Sequence, residues 1–272
     1  MRSELHLLGV DRKSIVSMGS LFFAALRILP LALACVAWPA SAGPAESSVW
    51  IDVSREDGVR FNGYRLPREA EGMGVVMAPA HEIATAAHVV WQAETITITD
   101  RKGAKARARV VCIDKAVDVA LLRVEHPPKG FATIRARPAV TGEWVRAVER
   151  PEPGEAPRVT SGAIEATHWT VNGVPVALIF SGIKGEKGMS GGGLFDAAGD
   201  LLGIVIRIDG RFGYLSALPM TELCARFSRC AGDGPPALLP QACDAGASQW
   251  PAASRDAAEL PAPIYRATRR GH

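Results

Sequence analysis

Three short segments carry side chains that together could perform nucleophilic catalysis. They are Thr85-Ala86-Ala87-His88-Val89-Val90, Val117-Asp118-Val119-Ala120-Leu121-Leu122 and Gly188-Met189-Ser190-Gly191-Gly192-Gly193-Leu194. A serine hydroxyl attacks a carbonyl only if a general base accepts its proton. Histidine can do so near neutral pH. A buried carboxylate fixes that histidine's tautomer and steadies the imidazolium. Glycines around a serine free the backbone to aim N–H groups at a developing oxyanion. Each segment alone has a plainer meaning: a core histidine, a turn aspartate, a flexible loop. Their joint occurrence, separated by 30 and 72 residues, is what points to chemistry.

Rival assignments are weaker. Asp114 competes with Asp118, but the apolar run Val119–Leu122 directly follows Asp118. His81 lies in a loop-like Pro-Ala-His-Glu, and His168 is far from any small-residue motif. Gly188-Met189-Ser190-Gly191-Gly192 also fits a Gly-x-Ser-x-Gly elbow, but that arrangement places its histidine after the serine. Here only the terminal His272 follows Ser190. His81-Glu82 lacks a second histidine four residues after His81, and no Cys-x-x-Cys occurs. Neither a metal nor a cofactor is therefore expected.

These residues need elements to position them. The chain has 272 residues, with 27 Gly, 19 Pro and 6% aromatics. Many turns and short elements suit an all-β architecture. Short Val-, Ile- and Thr-rich runs recur at 49–53, 74–77, 95–99, 108–113, 119–124 and 144–148. Further runs lie at 161–169, 174–180, 201–208 and 212–217. The stretch 95–100 alternates as a half-buried strand does. Residues 129–141, with Pro138, read as the boundary between two β units. Pro219 to Phe227 has apolar residues at helical spacing and an acid in its first turn. The formal charge of +3 is too balanced to imply nucleic acid as a main partner.

The ends differ from the middle. Arg2, Arg12, Lys13 and Arg27 precede an uncharged run, Ile28 to Trp38, and then Ala40-Ser41-Ala42. This reads as a signal peptide, residues 1–42, cut after Ala42. Met18 would give a leader of more usual length than Met1. Export to the periplasm or outside the cell is expected, with no membrane span after cleavage. Residues 231–272, half of them Ala, Pro or Gly, read as a disordered tail. Cleavage leaves Cys112, Cys224, Cys230 and Cys243. An even count in an exported chain suggests disulfides, although a buried free thiol at Cys112 is an equal reading.

The three motifs, in this chain order, resemble those of trypsin-like (chymotrypsin-fold) serine proteases. The compact spacing, and Val89 after His88 rather than Cys, resemble the bacterial HtrA-type branch. The resemblance covers roughly residues 48–228. It implies two six-stranded antiparallel β-barrels around a cleft and a short C-terminal helix, with barrels over 48–130 and 138–228. It assigns His88 as base, Asp118 as orienting acid and Ser190 as nucleophile. The N–H groups of Gly188 and Ser190 would form the oxyanion hole. Lys184, Ile206, Arg207 and Ile208 fall at the primary pocket. Gly193 stands where most relatives have Pro, and Met189 where Asn or Asp is common. No separate peptide-binding module after residue 230 is expected. The function implied is an exported serine endopeptidase acting on polypeptides through an acyl-enzyme. The alternative is a degenerate domain that holds peptides without cutting, motivated by Met189, Arg207 and Ile208.

Overall fold

The computed structural model describes residues 43–77, 82–126, 128–135, 137–152, 155–171, 174–209 and 212–227. The leader, the tail, His81, Cys230 and Cys243 lie outside the described residues.

The first barrel is built from β1 (Ser48–Ser54), β4 (Glu69–Met77), β5 (Glu82–Ala86), β8 (Val119–Val124), β7 (Lys105–Asp114) and β6 (Thr95–Thr99), closed in that order. The second closes as β10 (Val159–Val171), β11 (Val174–Lys184), β14 (Tyr214–Pro219), β13 (Leu201–Ile208), β12 (Gly193–Phe195) and β9 (Trp144–Val148). All strand pairs within the barrels are antiparallel. Closure leaves no open sheet edge to be satisfied elsewhere. A small hairpin, β2 (Arg60–Phe61) and β3 (Tyr64–Arg65), lies outside both barrels. It turns on Asn62 and Gly63, both at positive φ, as a two-residue primed turn requires.

Alternation along the strands decides which side chains fill the barrels. In β6, Ile96 and Ile98 are buried in the first barrel while Thr95, Thr97 and Thr99 are half-buried on its outside. In β13 the alternation is interrupted, and Leu202 and Val205, three residues apart, both enter the second barrel's core. Ile204 and Ile206 instead face a third cluster, which spans the seam between the barrels. That seam joins Met73, Val75 and Leu121 of the first barrel to Leu178 and Leu218 of the second. After the single turns α1 (Pro44–Ser47) and α2 (Ala87–Val90), the helix α3 (Met220–Phe227) closes it with Met220, Leu223 and Phe227, spaced to share one helical face.

The segment between β8 and β9 is threaded into the seam rather than merely connecting the two barrels. Ala132 N–H donates to Val76 C=O at 2.8 Å, and Leu201 N–H donates to Thr133 C=O at 2.8 Å. Next to it, the buried Arg135 meets Glu143 through both guanidinium nitrogens, donates to Pro138 C=O at 2.9 Å and lies 3.5 Å from Asp196. The hydrogen bond from Arg135 holds the Glu143 carboxyl below its ordinary range, against the opposing effect of burial. Glu143→Gln removes the charge from the main partner of Arg135 but leaves it Asp196 and the Pro138 carbonyl. The change should therefore destabilise the fold by about 1–3 kcal/mol in denaturant melts. The lowered folded-state value fixes the pH dependence. The pair's stabilisation is complete above the unfolded glutamate value of about 4.3 and is lost as pH falls through the folded value. The variant's deficit should shrink over that acidic interval, and an equal deficit at all pH values would contradict this.

Candidate active site

His88 lies in α2 (Ala87–Val90), a single turn that follows β5 directly. Asp118 ends the β7–β8 connection. Because β5 pairs with β8, Ala86 opposite Val119, the two residues are neighbours in space. His88 N–H donates to Asp118 Oδ1 at 2.8 Å, and His88 Nδ1 stands 2.7 Å from Asp118 Oδ2. Asp118 C=O in turn accepts from Ala87 N–H at 3.0 Å. Both side chains are buried, His88 at 3% exposure and Asp118 at 7%. Asp118 holds φ +60, a conformation that costs a non-glycine residue of order 1 kcal/mol or more and persists only where surroundings enforce it. The rival Asp114 makes a local turn, accepting from Ala116 N–H at 2.9 Å. His168 is exposed on β10, beside Thr167.

A second support for His88 carried no sequence signal. Arg55, only 1% exposed, sends its guanidinium to the carbonyls of His88 (3.3 Å) and Val89. These are among the carbonyls that a one-turn helix leaves without intrahelical donors.

Ser190 comes from the second barrel, in the turn before β12. That turn is tightly determined. Gly191 N–H donates to Val205 C=O at 2.7 Å, Val205 N–H returns to Gly192 C=O at 2.8 Å, and Gly192 N–H donates to Met189 C=O at 3.0 Å. The turn is seated on β4 of the first barrel, where Met73 N–H donates to Ser190 C=O at 2.8 Å. Gly72 allows that approach. A Cβ there would stand 2.7 Å from Val89 Cγ1 and 3.0 Å from Ser190 O. The Ser190 turn and the residue next to His88 thus meet over one glycine. Gly188 lies at φ +92, and among the described residues neither its N–H nor that of Ser190 donates to a protein group.

The expected pocket residues are dispersed. Ile206 is buried in the seam cluster, so its side chain packs between the barrels instead of lining an open pocket. Ile208 is half-buried and packs on the second barrel's core, crowding Gly185 so closely that a Cβ there would be 2.6 Å away. Arg207 is nearly enclosed, 4.0 Å from Asp209. Lys184, at the end of β11, donates to Phe212 C=O at 2.8 Å and lies over the Tyr214 ring. Met189 is buried in the second barrel, with its Sδ accepting from Glu186 N–H.

Residues 72–204 match the family model for the trypsin-like peptidase domain. This stretch, a little under half of the chain, is similar to trypsin-like peptidase domains. Proteins similar to this chain include named serine proteases. A Halomonas elongata protein named "Probable periplasmic serine endoprotease DegP-like" is 33% identical over 153 residues, 56% of this chain and 32% of that protein. One of the same name from Brucella suis is 29% identical, over 55% of this chain and 31% of that protein. The chain therefore spans about a third of the length of these curated relatives. Among solved structures, the HtrA-type protease AlgW with tripeptide superposes at TM-score 0.57 and 26% identity, over 68% of this chain and 60% of that one. A serine endoprotease from Yersinia pestis superposes at 0.54 and 25%, over 68% of this chain and 62% of that one.

The Ser190 turn has no room for one more carbon at Gly191. Its φ is +85, and a Cβ would stand 2.1 Å from Met73 O and 2.2 Å from Thr85 Oγ1. Gly191→Ala should cost about 2–3 kcal/mol from strain and overpacking together. Denaturant melts check this, and unchanged stability would contradict the tight seating of the turn.

Proposed function

We propose that this chain is an exported serine endopeptidase. Ser190 is the nucleophile, His88 the general base, Asp118 the orienting acid, and the N–H groups of Gly188 and Ser190 the oxyanion hole. The observation that carries the reading is the double grip of Asp118 on His88, through the backbone N–H and through Nδ1. An Nδ1–H held by a carboxylate leaves Nε2 as the basic nitrogen. The base accepts the Ser190 proton as Oγ attacks the peptide carbonyl, and the tetrahedral oxyanion is met by the two amides. Protonated His88 then gives its proton to the leaving amine. Water attacks the acyl-enzyme by the same route, releasing the acid and restoring Ser190.

Several observations support export. The relatives' names place them in the periplasm. Cys112 and Cys224 are both in disulfide linkage, which favours the disulfide reading of Cys112 over the free thiol and suits an oxidising compartment. Polypeptide is the substrate class this reading implies. Burial of Met189 and the packing of Ile208 move two of the three departures that motivated a non-cutting binder into the protein's own core.

The test uses a fluorophosphonate probe and casein with the wild type, Ser190→Ala and Asp118→Asn. Wild type should be labelled and should cleave casein, and Ser190→Ala should do neither. Asp118→Asn should lower kcat about 10⁴-fold, the scale set by the corresponding change in a well-studied triad. A folded wild type that binds casein, takes no label and cuts nothing would establish the binder instead.

A further inference from the structure

We propose that Arg150 is a positioning residue, fixing the Gly188–Ser190 turn against the first barrel so that the oxyanion hole holds its shape. This rests on the role proposed above for Gly188 and Ser190. Arg150 follows β9 in the second barrel, yet its guanidinium is spent on the first. It bonds to Asp52 Oδ1 at 2.6 Å, donates to Gly72 C=O at 3.0 Å and lies 3.7 Å from Glu71 Oε2. A weaker contact reaches Ile51 C=O at 3.4 Å.

The stem of the same side chain lies against the oxyanion turn. A Cβ on Gly188 would stand 3.0 Å from Arg150 Cδ and 3.6 Å from its Cβ. Arg150 thus touches Gly188 with its methylenes and both β1 and β4 with its charged head. The β4 carbonyl it binds, that of Gly72, immediately precedes the Met73 N–H that holds Ser190 C=O. Both ends of the turn are referred to the paired strands β1 and β4 of the other barrel, Ser190 by Met73 and Gly188 by Arg150. A planar fork suits this task, because it can hold a carboxylate and a carbonyl at once in fixed geometry. An oxyanion hole gains its effect from donors that need no rearrangement when charge develops, so a loosened turn costs the transition state more than the bound substrate.

The experiment compares wild type, Arg150→Met, Arg150→Lys and Asp52→Asn as full chains. Four quantities are measured: kcat and KM on a peptide substrate, affinity for a peptide boronate that mimics the tetrahedral adduct, affinity for the corresponding product peptide, and melting temperature. Arg150→Met should lower kcat by about 10²-fold, the scale of one lost oxyanion donor, with KM within about twofold. Boronate affinity should fall in parallel and product affinity should hold. Arg150→Lys should recover part of kcat by keeping the pair with Asp52. Asp52→Asn, which leaves the Gly72 bond intact, should lower kcat several-fold, and it carries the test if Arg150→Met fails to fold. Unchanged kcat in Asp52→Asn and Arg150→Met, or a loss shared equally by boronate and product binding, would overturn the proposal. Fluorophosphonate labelling of wild type but not Ser190→Ala runs in parallel. Its absence in wild type strikes the serine reading itself, whereas normal wild-type labelling with an indifferent Arg150 strikes only the positioning role.

Discussion

One backbone hydrogen bond sets the terms for the site: Met73 N–H of the first barrel donates to Ser190 C=O of the second at 2.8 Å. The candidate base and acid belong to one barrel and the candidate nucleophile to the other, so their registration depends on the seam between the barrels. A hydrogen bond of this length requires two backbones to approach without side chains between them. That explains why Gly72 and Gly191 stand at the crossing, one on each side. Thr85 contributes from β5, donating through Oγ1 to Met73 C=O at 2.7 Å. The strand that meets Ser190 is thereby tied to the strand that leads into His88.

The seam holds by two kinds of force. Its centre is apolar, with residues of both barrels and α3 in one buried cluster, and burial there is non-directional. Its rim is polar and directional. Arg135 gathers Glu143 and Asp196 beneath the interbarrel segment, and Arg150 reaches across to Asp52 and Gly72. Such pairs add little net stability compared with apolar packing, but they are sensitive to geometry. The apolar cluster keeps the barrels together, Arg135 ties the interbarrel segment to the second barrel, and Arg150 ties that barrel to the first. The positive φ of Asp118 fits this division, since a strained residue persists only where its neighbours over-determine it.

Much of this was legible in the sequence. Strand alternation is a local signal, so β6, β8, β9 and β13 fall at the expected residues, as does α3 within one residue. The His, Asp and Ser segments declared themselves because each chemistry needs a particular residue beside small or apolar neighbours. Other features depended on distant partners. β5 is a five-residue run broken from its neighbours, and β12 spans only three residues, too short for periodicity to register. Asn62-Gly63 is a hairpin signal, but the two-residue strands beside it are too short to stand out. Ile206 could not be separated from Ile208 in sequence. The register shift between Val205 and Arg207 against β14 turns the strand, so the two isoleucines pack in different cores. Arg55 and Arg150 looked like any surface arginine, because their partners lie 33 to 34 and 78 to 98 residues away in the chain.

The central claim is spatial: a serine from one barrel is held between a base and two amides by contacts with the other. The most direct measurement is a crystal structure of the covalent adduct with a peptidyl phosphonate. Phosphorus should be bonded to Ser190 Oγ. One phosphoryl oxygen should lie about 2.7–3.1 Å from both the Gly188 and Ser190 nitrogens, with the His88 ring directed at the adduct and the Met73–Ser190 bond intact. Phosphorus on another side chain, or an oxygen turned away from both amides while the seam remains closed, would contradict it.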